Sequence, residues 1–155
     1  MKRLLLLTLA LAAVACTGEI AGLGPPSDPA TETFAASLGI DLAKMSKTPD
    51  GVYYRDLTVG TGAAVTHDTT ITVTYSGYLS DGTLFDSGTK VQFLTTAVVP
   101  GFAEGVKAAG GMRVGGVRQV IIPSALGYWQ NGSPPSVPRQ STLIFKITLI
   151  SIDSV

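Results

Sequence analysis

The chain has 155 residues, 11 Lys plus Arg against 11 Asp plus Glu, and one cysteine. That length fits one domain with a real core, and at 14% charged residues the chain is no disordered polyelectrolyte. With no basic excess there is no footprint for a nucleic-acid backbone, and a lone cysteine excludes an intramolecular disulfide or a cysteine-rich zinc site.

Lys2 and Arg3 precede an uncharged apolar run over residues 4–14, too short for a membrane span of about 20 residues. A basic start, a short apolar stretch and small residues at Ala13 and Ala15 read as an export signal peptide over residues 1–15. Cys16 follows at once, and the junction resembles the lipobox of bacterial lipoproteins, with Ala13 where leucine is usual. The resemblance implies an exported bacterial protein of the periplasm or envelope, anchored to a membrane through a lipidated Cys16. Thr17 in place of aspartate implies the outer membrane. The alternative is ordinary cleavage that leaves Cys16 a free thiol. Gly22, Gly24, Pro25, Pro26 and Pro29 make residues 16–31 a flexible tether, on the order of 20 Å end to end. Phe34, Leu38, Leu42 and Met45 fall at helical spacing and predict a short helix over residues 32–46, ended by Pro49-Asp50-Gly51.

From residue 47 to 155 the chain reads as one domain, in which the 18 glycines and 9 prolines favour short strands and turns. Residues 52–59 are rich in β-branched and aromatic side chains. Ile71, Val73 and Tyr75 alternate with threonines, the period of a half-buried strand. Asp81-Gly82 between Leu79 and Leu84 is a hairpin signal, because both central residues tolerate positive φ. A short helix over residues 102–109 starts behind Pro100-Gly101. Residues 114–122 form another strand, and Leu143, Phe145, Ile147 and Leu149 alternate along the last one. The fold class is α+β, an antiparallel sheet with one short helix against its face. No internal repeat is visible.

The catalytic inventory is mostly negative. His67 is the sole histidine and sits in a polar turn, so no triad can be built around it. Gly60-Thr61-Gly62 lacks the third glycine and following helix of a dinucleotide loop. Gly110-Gly111 and Gly115-Gly116 lead into a strand, which suits turns and a bulge better than a phosphate.

What remains is a set of aromatic motifs. VTYSGYLSDGTLFDSG (73–88), VVPGFAEGV (98–106), IIPSALGYW (121–129) and STLIFKITLI (141–150) occur in the order found in FKBP-type peptidyl-prolyl cis-trans isomerases, which this chain resembles over residues 51–152. The resemblance implies a half-barrel sheet wrapped around the helix, an apolar pocket between them, no cofactor, and proline-containing polypeptides as partners. It assigns Phe102 to the pocket floor, Tyr75, Phe85, Phe93 and Phe145 to its walls, and Asp86 to a buried polar support. Val91 is a second candidate for the place of Phe93. Val98 and Val99 match a Val-Ile pair, with the Val99 N–H and the Tyr128 hydroxyl holding substrate carbonyls, and Val137 is an apolar lip residue. Gly127 and Trp129 depart from the family pattern around Tyr128, and Trp129 puts a large ring where the backbone turns sharply. Against an isomerase stand two other readings, a binding module or chaperone with little turnover and a structural envelope lipoprotein.

Overall fold

The computed structural model describes residues 24–153. The export signal of residues 1–15 and Cys16 lie outside the described residues. Strands β1 (Ser46–Lys47), β2 (Tyr53–Thr58), β3 (Thr70–Tyr78), β4 (Leu84–Leu94), β5 (Val117–Ile122) and β6 (Leu143–Asp153) form one antiparallel sheet in the order β1-β2-β5-β6-β3-β4. A single α-helix among the described residues, α1 (Pro100–Lys107), lies against its inner face. This is the expected open sheet with one short helix.

Alternation decides which side chains meet the helix. Ile71 and Val73 of β3, Val120 and Ile122 of β5, and Phe145, Ile147 and Leu149 of β6 are buried around Phe102 and Val106. Register shifts at Asp56/Thr58, Val73/Tyr75 and Gly77/Tyr78 mark bulges, which bend and twist a sheet locally.

An eight-residue helix is too short to persist by itself, so packing holds α1. Gly101 and Gly105 bring its backbone directly onto β5: a Cβ at Gly101 would stand 2.2 Å from Ile122, and one at Gly105 would stand 2.4 Å from Val120. Arg118 then closes the C-terminal end. It points inward from β5, is 2% exposed, and donates to the carbonyls of Gly105 and Ala108, both at 2.9 Å. Its other nitrogens donate to the two carboxylate oxygens of Asp56 at 2.7 and 3.0 Å, and the guanidinium lies 5.2 Å from the Tyr54 ring centroid. A cation at the negative end of a helix dipole is favourable.

The N-terminal segment corrects two expectations. Residues 32–46 do not form a helix; Pro29–Thr31, Ala36–Leu38 and Leu42–Lys44 are separate 3-10 turns. Gly39 in the left-handed region ends the second turn, and the Asp41 carboxylate caps the third. Phe34, Leu38, Ile40, Leu42 and Met45 still bury their apolar sides, on the outer face of the sheet against Tyr53, Ile121 and Ile144. The spacing was correct for burial but is satisfied by a pinned strap. Nor are residues 24–31 a free tether: Pro29 is buried, and Ser27 is hydrogen-bonded to Ser124 and Thr142.

The Asp81-Gly82 turn also differs in detail. Of its two central residues only Gly82 takes positive φ, at 89°; Gly82 N–H donates to the Leu79 carbonyl, and the Asp81 carboxylate accepts from Thr83 N–H. Residues 113–116 form a turn closed by Gly116 N–H to the Arg113 carbonyl at 2.9 Å, so β5 starts later than expected. At the sheet edge, β4 carries two residues, Thr89 and Lys90, opposite Thr74 alone, with Lys90 at φ 52°.

Candidate functional site

Four of the predicted rings meet between α1 and the sheet. Phe102 stands at the start of the helix, 3% exposed, edge-on to Phe145 with centroids 5.2 Å apart. Phe93 and Tyr75 complete the ring, at 6.2 and 6.5 Å from Phe102 and 5.5 Å from each other. Such tilted contacts suit the quadrupoles of aromatic rings. Together with Asp86, Ala97, Val98, Val99 and Tyr128 they line a hollow of about 250 Å³. The rings fit this closely because two neighbours have no side chain. A Cβ at Gly77 would stand 2.7 Å from Phe85, and one at Gly88 would stand 2.7 Å from the Tyr75 ring.

The Tyr75 hydroxyl donates to Asp86 Oδ2 at 2.8 Å, across the β3–β4 pairing. Burial first, then the Asp86 carboxylate as hydrogen-bond acceptor and negative charge, push the Tyr75 phenol up to about 12. The phenol therefore stays protonated across the physiological range and fixes its ring in the wall. Because its folded value is raised, the stability it contributes is complete below the ordinary tyrosine value of about 10 and is lost as pH rises through about 12. In a phenolate absorbance titration, the difference between wild type and Tyr75→Phe is expected to show this late ionisation. Asp86→Asn is expected to lower it only part of the way, since burial is the larger cause. A titration of Tyr75 near pH 10 would contradict the geometry.

The predicted residues do not all take their expected places. Asp86 lines the hollow but is exposed, not buried, because its β4 position lies at the sheet edge. Phe85 stands outside the lining and packs edge-on against Phe145 at 5.6 Å, supporting that wall from behind. Val137 is no lip residue; its side chain is turned into the main core. Phe93, not Val91, lines the hollow; Val91 lies beside Gly88 instead. Val98 and Val99 both contribute walls, and among the described residues the Val99 N–H donates to no backbone acceptor, because Val99 is the N-cap of α1.

Tyr128 borders the hollow and is 38% exposed. Trp129 is not among the lining residues, so the indole does not fill the hollow; it is 40% exposed with its backbone at φ 23°. That φ lies at the margin of the left-handed region, which glycine adopts freely and a tryptophan only at a cost. Ala97 was missed, having no chemistry to advertise it, and so were Gly77 and Gly88, whose value is the space they leave. A wider depression of about 710 Å³ lies on another side of α1, bordered by Asp50, Asp68, Glu104 and Lys107. None of the four central rings reaches it.

The comparisons with known proteins agree with this geometry. A family model described as FKBP-type peptidyl-prolyl cis-trans isomerase matches residues 62–150. The chain is 38% identical over 107 residues to "FK506-binding protein 4" of Dictyostelium discoideum, covering 66% of this chain and 29% of that protein. It is 37% identical over 108 residues to "Outer membrane protein MIP" of Legionella longbeachae, covering 67% of this chain and 45% of the relative. The chain thus spans less than half the length of these two relatives. A solved peptidyl-prolyl cis-trans isomerase from Pseudomonas syringae superposes with a TM-score of 0.66 at 28% identity, over 77% of this chain and 87% of that one. A match over more than half the sequence, with the fold to go with it, makes this chain a member of the FKBP-type peptidyl-prolyl cis-trans isomerase family.

Proposed function

We propose that the chain is a peptidyl-prolyl cis-trans isomerase that acts on exported polypeptides. The observation that carries this reading is the aromatic hollow with, on its wall, a backbone N–H, that of Val99, which donates to no backbone acceptor among the described residues. An X–Pro bond turns slowly because rotation breaks amide resonance, at a barrier of about 18–20 kcal/mol. Resonance puts negative charge on the carbonyl oxygen, and water stabilises that planar, charge-separated form. Seating the prolyl ring on Phe102, between Tyr75, Phe93 and Phe145, withdraws the amide from water. Walls fitted to the twisted amide then favour the transition state over the ground state, which is the only binding that accelerates rotation. The Val99 N–H and the Tyr128 hydroxyl hold substrate carbonyls on either side. Asp86 keeps Tyr75 in place, and Phe85 backs Phe145. Each tenfold of rate needs about 1.4 kcal/mol, within reach of shape and two hydrogen bonds.

A protease-coupled isomerisation assay on proline-containing peptides tests the reading. Turnover well above the uncatalysed rate is the expected result. Peptide binding with turnover at background would select a binding module instead.

Location is part of the same proposal. Lys2, Arg3, the apolar run of residues 4–14 and Cys16 support export and lipid anchoring, and the likeness to a protein named as an outer membrane protein points the same way. Expressed in a bacterial host, the chain is expected to yield an N-terminal peptide that begins at a lipidated Cys16 by mass. An unmodified Cys16 would remove the anchor.

A further inference from the structure

The loop that carries Tyr128 runs from Pro123 to Thr142 and is tied at both ends to the N-terminal strap. Ser27 N–H donates to Ser124 Oγ and Ser124 N–H donates back to Ser27 Oγ, both at 2.8 Å. Ser27 Oγ also meets Thr142 Oγ1 at 2.7 Å, and Thr142 Oγ1 in turn meets the Glu32 carboxylate. A carboxylate only accepts, so the Thr142 proton goes to Glu32 and the Ser27 proton to Thr142. This leaves Ser27 Oγ free to accept from Ser124, and the whole chain of bonds has one consistent direction. Ser124 and Thr142 are buried, so each loop end has exchanged water for the strap.

A second tie runs to the middle of the loop. The Gln140 side chain donates to the carbonyls of Gly24 and Pro25, while its backbone N–H donates to the Trp129 carbonyl at 2.7 Å. Trp129 N–H donates to the Ser124 carbonyl at 3.0 Å. From Gly24 to Ser27 the strap is therefore connected, bond by bond, to the residue adjoining Tyr128. None of these groups lines the hollow.

We infer that Ser27 and Gln140 are positioning residues for the isomerase site, and that the strap at residues 24–27 sets how often the Tyr128 loop is in its substrate-holding position. This rests on the isomerase reading above. A site whose competent state is populated only part of the time shows weakened apparent affinity by that fraction, with its saturated rate little changed. Loosening the ties therefore acts on KM.

The chain carries its own reporter, because Trp129 is the sole tryptophan. In the full chain, Ser27→Ala and, independently, Gln140→Ala are expected to raise KM about fivefold or more while kcat stays within about twofold. Acrylamide quenching of Trp129 fluorescence is expected to increase in both. Ser27→Thr, which keeps the hydroxyl, is expected to restore both readings. A wild type that turns over, with variants that match it in KM and quenching, overturns the inference alone. So does increased quenching at unchanged KM, since the loop would then be freed without consequence. A wild type without turnover overturns the isomerase reading, and this inference with it.

Discussion

Phe102→Ala is expected to lower kcat/KM for a proline-containing peptide by about tenfold or more, the loss of at least about 1.4 kcal/mol of transition-state stabilisation. The ring forms the floor beneath the other three, touching Phe145, Phe93 and Tyr75 at centroid distances of 5.2, 6.2 and 6.5 Å. Removing it opens the floor to water, and a hydrated amide regains the resonance form that resists rotation. The same truncation costs stability, about 3–5 kcal/mol for a buried phenylalanine. Circular dichroism and a denaturation curve at the assay temperature must therefore show the variant folded. Phe102→Trp keeps an aromatic floor and is expected to retain most of the activity. A folded Phe102→Ala with wild-type kcat/KM would mean that the hollow is not where the amide turns.

Arg118→Ala is expected to cost about 3–5 kcal/mol of stability, the range for removing the buried partner of an ion pair. Three consequences combine. The carbonyls of Gly105 and Ala108 lose their donor at the closed end of α1, the Asp56 carboxylate loses a two-pronged partner, and a buried volume is left empty. Against a total of about 5–15 kcal/mol for a domain, this approaches unfolding. Asp56→Asn separates the terms. Asp56 is 35% exposed and the two helix-end bonds survive, so the loss is expected to be smaller. Urea denaturation measures both. If Arg118→Ala costs less than about 1 kcal/mol, the helix end is held by something else, and the account of how Phe102 is positioned fails.

The strands were legible in the sequence because they depend on local patterns. Period-two alternation places Ile71 and Val73 inward without knowledge of any partner, whereas the grouping of Tyr75, Phe93, Phe102 and Phe145 was legible only through the family resemblance. Features set by distant neighbours were not legible. Helical spacing from Phe34 to Met45 records only that one side is buried, and a pinned strap satisfies it as well as a helix does. Val137, expected at the lip, is in the core because its loop folds back through Ser133. Asp86 is exposed because β4 happens to be an outer strand. Arg118 occupies an inward position between Val117 and Val120, where periodicity expects an apolar residue. Only the nearness of the helix end explains a charge there.

The two outer strands of the sheet differ from its interior. On one side β1 has only two residues; on the other, Thr89 and Lys90 break the run of β4. Open, flat margins recruit extended chains by backbone pairing, and short or interrupted ones do not. An isomerase of the kind proposed above would meet such chains continually. On that reading, the blunted margins would let a client be gripped at a proline and let go, rather than zipped on as a seventh strand.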